Sequence, residues 1–451
     1  MKFKAGYSLS ILFLVYLMNY VDRVSVGIFA DHMKRDLGLS DTQIGLLTGL
    51  LFAFFYAFMG IPVGRLADKY SRKAILSSCL AIWSIATAAC GVAQNFAQLA
   101  AARMIVGIGE AGCTPSAHSY LSDLFSPKKR ATAFSIYSMG PPIGLILAAV
   151  GGGWVAYHWG WRLGMIALGV PGLLLALVIL LTLNEPERGR FDTGQTDHEA
   201  APFQEVIGSI IDRPRIIAIL FGIGFCAVGL YSVSAFSVPF LMRAYQMDVL
   251  QAGLLFGLSY GVSGALGAVF GGAVTDWAGS HDERWYTGVP MIVYLISGPV
   301  MALAFFQGDY RIFAALFVVG SFIVNMALAP AVAVLVNMMR PRMRASTSAI
   351  ALFFAAVIGH GLGPTLTGFL SDVFSGWIFV AGEYGAVCTA DGLADSVVSL
   401  CENASYHGLQ YALALAAGFW LVAGLFYAMA TFGWRAGKSP NSSDPITLPG
   451  E

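Results

Sequence analysis

Twelve apolar runs, each about 20 residues long and so of membrane-spanning length, constrain this chain more than any single motif does. They cover roughly 8–31, 43–67, 74–94, 97–121, 131–157, 162–183, 216–242, 249–275, 286–306, 311–338, 346–371 and 409–433. Over such lengths in lipid a helix satisfies its own backbone polar groups, whereas a barrel needs short alternating segments. Charged residues make up 12% of the 451 and hydrophobic residues 57%, where a soluble domain carries about 25% charge. The expected fold is therefore an all-α integral membrane protein with twelve transmembrane helices. The net charge of zero gives no sign of a nucleic-acid partner.

The opening MKFKAGYSLSILFLVYLMNY imitates a signal peptide. It lacks a small-residue cleavage site, and its apolar run continues past Asp22-Arg23, so it reads as an uncleaved first span. With an even number of spans and a cytoplasmic N-terminus, nineteen Lys and Arg fall inside, and five (Lys34, Arg35, Arg162, Arg243 and Arg311) fall outside. That asymmetry places both termini in the cytoplasm. Arg23 and Arg103 remain within the membrane. Cys388 and Cys401 share the long external loop 375–407, where an oxidising compartment would pair them.

The polar stretch 185–215 divides the chain into six-span bundles, 1–184 and 216–437, with 438–451 read as a disordered cytoplasmic tail. The halves echo each other. Gly64-Arg65-Leu66-Ala67-Asp68 closes the second span and Gly272-Ala273-Val274-Thr275-Asp276 the eighth. Ser126–Thr132 opens the fifth as Arg340–Ser346 opens the eleventh, and Gly140-Pro141-Pro142-Ile143-Gly144 pairs with Gly361-Leu362-Gly363-Pro364. Internal duplication of this kind is the organisation of alternating-access carriers.

Gly64-Arg65-Leu66-Ala67-Asp68-Lys69-Tyr70-Ser71-Arg72-Lys73 resembles the loop between helices two and three of the major facilitator superfamily, with Ser71 where that pattern usually has Gly. Arg103-Met104-Ile105-Val106-Gly107-Ile108-Gly109 and Gly140–Gly144 resemble its fourth- and fifth-helix motifs. Within the superfamily the chain looks like Spinster-type transporters, through Asn19-Tyr20-Val21-Asp22-Arg23, Gly107-Ile108-Gly109-Glu110-Ala111-Gly112 and Ser122-Asp123-Leu124-Phe125-Ser126-Pro127. The resemblance implies the major facilitator fold and a compact bacterial member of the inner (plasma) membrane, working as a monomer. Its eukaryotic relatives move sphingosine-1-phosphate or lysophospholipids. It also implies a cytoplasmic gate built from Gly64, Asp68, Arg72 and Asp123.

Four ionisable residues lie deep in the spans: Asp22, Arg23, Arg103 and Glu110. Each costs a few kcal/mol near the bilayer centre unless partnered, so they should face inward. Arg103 and Glu110, about 10 Å apart along the axis, share one helical face with Gly107 and Thr114; Asn19, Asp22 and Arg23 share another. If spans one and four meet, two acids and two arginines form one cluster. A carboxylate there binds or releases a proton as a guanidinium leaves or approaches. Asp22 and Glu110 are the expected proton-coupling pair. Arginine cannot deprotonate, so Arg23 and Arg103 become charge switches or headgroup clamps. The second half shows no comparable charge in its spans, leaving Tyr231, Asn325 and His360 as cavity candidates beside Asn19 and Thr114.

The expectation is a proton-coupled secondary transporter of a lipid or lysolipid-like amphipathic anion, with protons as coupling ion and no cofactor. Two rivals stand: a proton-coupled carrier of small organic anions, and an uncoupled lipid scramblase or lipid-responsive receptor. The chain holds no P-loop, metal-ligand cluster or nucleophile constellation, so an enzyme is not expected. Its GIGEAG stretch lies inside a span with no strand before it, which excludes a dinucleotide loop.

Overall fold

The structure, a computed structural model, describes residues 2–188, 203–327, 330–331, 334–335, 338–339, 343–388 and 393–432. The tail 438–451, linker residues 189–202 and the turn 340–342 that opens the eleventh span lie outside them. The described residues are helical with no strand, and they follow the twelve-span order in two six-span halves. Below, the near side is the membrane side on which the chain begins, and the far side is the opposite one.

Lys2–Ile28 forms the first span, and Arg72–Cys90 the third. Asp41–Thr48 and Leu50–Lys69 form the second, bent at Gly49 (φ −113°, ψ −103°). The fourth is broken at Ala111–Gly112 into Phe96–Glu110 and Cys113–Leu124. Spans five and six run on through Gly153–Thr182, turning at Gly160 (φ 79°), which only glycine adopts without strain. In the second half, Pro214–Tyr245 is span seven, Val249–His281 eight, Trp285–Phe305 nine and Asp395–Phe432 twelve. Span ten is helical over Tyr310–Asn325, and eleven continues to Ile378. Nine helices among the described residues are long and apolar enough to cross a membrane. The shortfall from twelve has physical causes: five and six merge, four is broken, and ten is described as one helix only to Asn325.

The internal repeat shows in local devices. Ser40 opens span two with a reciprocal cap, its hydroxyl accepting from the Gln43 amide while the Gln43 side chain accepts from the Ser40 amide; Asp248 and Gln251 open span eight in the same way. π-helical turns interrupt span five at Ala148–Gly152 and its counterpart, span eleven, at Ala355–Leu362, with another in span eight at Gly257–Val262. Such turns re-aim side chains and collect at functional sites.

On the far side the halves press together through residues without side chains. A Cβ on Gly27 would stand 2.7 Å from the Ala235 carbonyl of span seven, and one on Gly45 would overlap the Pro364 carbonyl of span eleven. On the near side, a Cβ at Gly60 or Gly64 would meet nothing within 4 Å among the described residues. A spacing of four that favours close helix packing therefore makes no such contact there.

Because the obstruction at Gly45 is backbone, Gly45→Ala should prise the far side apart. Cross-linking of paired cysteines across that side should fall in the variant; wild-type cross-linking would refute the packing argument.

Candidate functional site

Spans one and four bring the four intramembrane charges together. Arg23 Nε donates to Glu110 Oε2 at 2.7 Å, and Arg103 Nη1 lies 3.5 Å from Asp22 Oδ2. Thr87 of span three donates its hydroxyl to Asp22 Oδ1 at 2.8 Å. Arg103 and Glu110 are fully buried, and Asp22 is 4% exposed. Glu110 ends its helical segment just before the break. Its Oε1, the Arg103 Nε and both amide atoms of buried Asn19 have no hydrogen-bond partner among the described residues. The cluster thus holds more hydrogen-bonding capacity than it uses.

Aromatic faces supply what polar partners do not. The guanidinium carbons of Arg23 and Arg103 each stand 5.2 Å from the centre of the Phe52 ring, and Arg23 stands 4.5 Å from Tyr56. A desolvated cation over an aromatic face gains about 2 kcal/mol. From the second half, His360 lies 5.0 Å from Phe52 and stacks on Tyr231 at 4.3 Å. Tyr20, Arg23, Thr48, Tyr231, Ser234 and His360 line one crevice where the halves meet.

Two cavity candidates stand elsewhere. Asn325 donates to the Ser321 carbonyl and sits against Gly264 of span eight. Thr114 is half-buried and follows the two-residue interruption Ala111–Gly112, whose dihedrals stay in the right-handed helical region. Cys388 and Cys401 form a disulfide with Cα atoms 5.7 Å apart. Cys401 sits inside the twelfth helix rather than in a loop.

The second half does carry charge in its helices, which corrects the expectation from sequence. Span seven extends to Tyr245 and span eleven to Ile378, taking in Arg243 and Asp372. Arg243 reaches Asp31 at 2.6 Å and Asp41 at 2.7 Å, with both acids buried, and Lys34 adds a 2.8 Å contact to Asp41. Ser371 also donates to Asp41. Asp372 accepts from the Asp41 and Thr42 amides at 3.0 and 2.7 Å, a carboxylate at the positive end of a helix. The cross-half hydrogen bonds and ion pairs among the described residues gather on this far side. Sequence reading counted Lys34 and Arg243 only as topological charges. An acidic residue on each side of the span one–two turn, Asp31 and Asp41, was the available signal.

A family model of the major facilitator superfamily matches residues 12–300. The chain belongs to the major facilitator superfamily. An MFS-type efflux pump of Mycolicibacterium smegmatis is 34% identical over 82% of this chain and 85% of its own length. A probable L-galactonate transporter of Escherichia coli is 26% identical over 85% and 87%. The crystal structure of a bacterial homolog of the human lysosomal transporter Spinster, inward-facing and unoccupied, superposes with a TM-score of 0.87 at 32% identity, covering 98% of this chain and all of that one. This chain is a Spinster-like transporter of the superfamily.

The superfamily's loop motif lies at the near end of the first half. Arg72 is nearly fully buried; it pairs with Asp123, and its Nε donates to Glu185 Oε1 at 2.8 Å. It also donates to the carbonyls of Ser119 and Pro186. The clamp therefore binds spans three and four to the start of the linker. Sequence reading did not include Glu185. The Asp68 side chain lies outside the described ones.

Removing one partner of a buried pair costs about 3–5 kcal/mol, so Arg243→Ala should shift the transporter toward a far-side-open form. A thiol reagent on a far-side cysteine should then react faster; unchanged reactivity would deny the network a closing role. Burial alone would raise the Glu185 pKa, but hydrogen bonds from the Arg72 side chain, the Lys73 amide and the Ser71 hydroxyl outweigh it and hold it below the usual carboxylate value. The clamp's stabilisation is thus present above the ordinary glutamate pKa and lost as pH falls through the lowered one. Thermal unfolding of Glu185→Gln should trail wild type at neutral pH and converge with it at strongly acidic pH.

Proposed function

We propose that the protein is a proton-coupled, alternating-access transporter of an amphipathic anion of lipid or lysolipid type, in a bacterial inner membrane with its near side cytoplasmic. The observation that carries this reading is the pair of buried acid–guanidinium contacts, Asp22–Arg103 and Glu110–Arg23, joining spans one and four. Among the described residues each carboxylate has one guanidinium partner, and Glu110 keeps an unpartnered oxygen. A rearrangement that draws a guanidinium toward substrate leaves its carboxylate to take a proton from water; the guanidinium's return expels it.

The contrast between the halves supports an amphipathic substrate. The central charge lies in the first half, while Phe221, Phe225, Phe354 and Phe426 of the second pack ring against ring. The closed far side supports entry from the near side. A second reading, a small organic anion, draws on the crevice's polar lining beside Arg23 and on the galactonate carrier among the relatives.

Proteoliposome uptake under an imposed pH gradient, with lysophosphatidylethanolamine and L-galactonate as alternative probes, tests both. We expect gradient-driven lysolipid flux, reduced at least about tenfold, or about 1.4 kcal/mol, in Glu110→Gln and Asp22→Asn. Variants that keep the wild-type pH profile would remove the coupling. Flux of galactonate alone would select the second reading, and lipid movement indifferent to pH would make the protein an uncoupled scramblase.

A further inference from the structure

We propose that Phe52 is a positioning residue that keeps each guanidinium on its own carboxylate and links that assignment to closure of the far side. The inference rests on the proton-coupled reading above and names the residue through which conformation reaches the acids. Phe52 is fully buried in span two. Both guanidiniums stand at the same distance over its ring, and His360 meets that ring from the other half.

Its placement is built rather than incidental. The bend at Gly49 lies three residues earlier, and a Cβ at Gly107 of span four would stand 2.7 Å from the Phe52 carbonyl. The helix carrying Arg103 and Glu110 is thereby seated directly on the backbone that holds the ring. His360 sits in the π-helical turn of span eleven, next to Gly361, which faces Ala53 of span two.

The chemistry follows from what the ring replaces. Arg103 has one loose carboxylate contact and an unpartnered Nε, so an aromatic face is a large part of its coordination. Without the ring, Arg103 gains a reason to swing toward the free Glu110 Oε1. The Arg23 guanidinium, which lines the crevice, would be displaced. Opening the far side must draw span eleven from span two, since Pro364 and Gly368 press on Gly45 and Asp41 there. That movement takes His360 off the Phe52 ring and frees it. The proton then bonds to a carboxylate oxygen from water and leaves to water on the other side, with no other reactant.

Other groups share this field. Tyr16 and Tyr20 face the acids and guanidiniums from span one, Tyr56 from span two and Cys90 from span three. Cys113 does so from span four, Tyr231 from seven and His360 from eleven. None of them stands over both guanidiniums, and Phe52 does not titrate. Its removal therefore reads out as a shift in the acids' profile rather than the loss of a titrating group.

The test uses full-length protein in proteoliposomes, spin-labelled through Gln94→Cys and Gly308→Cys on the far ends of the two halves. Their separation is measured by pulsed electron resonance from pH 5 to 9. Wild type should change separation with pH, and Phe52→Leu should move that midpoint by about one pH unit or more. Phe52→Tyr, which keeps the aromatic face, should restore it, and Phe52→Met serves if the leucine variant does not fold. A wild-type midpoint in Phe52→Leu or Phe52→Met, even with a lowered melting temperature, would reduce Phe52 to packing and overturn the assignment. Wild-type separation and flux both insensitive to pH would instead overturn the proton-coupled reading beneath it.

Discussion

A charge inside a bilayer must find an opposite charge, and this requirement organises the two regions where the halves of the protein communicate. Stability alone does not call for these pairs, because apolar packing of similar volume often serves as well or better. What the pairs supply is a set of contacts that cannot loosen gradually: a buried carboxylate holds its guanidinium, takes a proton or meets water. The central cluster sits wholly in the first half, at Asp22, Arg23, Arg103 and Glu110. The far-side network straddles both halves through Asp31, Asp41, Arg243 and Asp372.

Span one joins the two regions. Nine residues separate Asp22 from Asp31, about 13 Å at helical rise, with the helix interrupted at Phe29 between them. Span two makes the second link, running from Asp41 through the Gly49 bend to Phe52. Both connections pass through a local break in helix rather than a straight rod. A displacement at the far side can therefore turn a side chain at the centre without dragging the whole helix.

Much of this was legible in the sequence, and the limits are physical. Twelve apolar runs predicted the spans, because lipid forces backbone satisfaction within each segment. The four central charges were legible because their cost in lipid leaves few places for them to face. Their pairing was not: periodicity puts Arg103 on a face but cannot say that it meets Asp22 while Arg23 takes Glu110. The partner of Asn325 was hidden for a related reason: polar residues in spans satisfy themselves locally, as Asn325 does on Ser321. Arg243 and Asp372 fell just past the apolar runs, where charge normally marks a loop. A helix continues beyond its apolar stretch when its terminal charges find partners on a neighbour.

The asymmetry between halves then acquires a reason. If both halves carried charges at the centre, the resting cluster would cross the interface, and the cavity could part only by breaking it. With the central charges confined to one half, the interface there consists of rings: Phe52 and the Arg23 crevice on one side, His360 stacked on Tyr231 on the other. Ring contacts are worth about 0.5–1.5 kcal/mol beyond their buried area, well below the about 3–5 kcal/mol lost when a buried ion pair loses one partner. The centre can therefore separate cheaply while the far-side network holds the closed form.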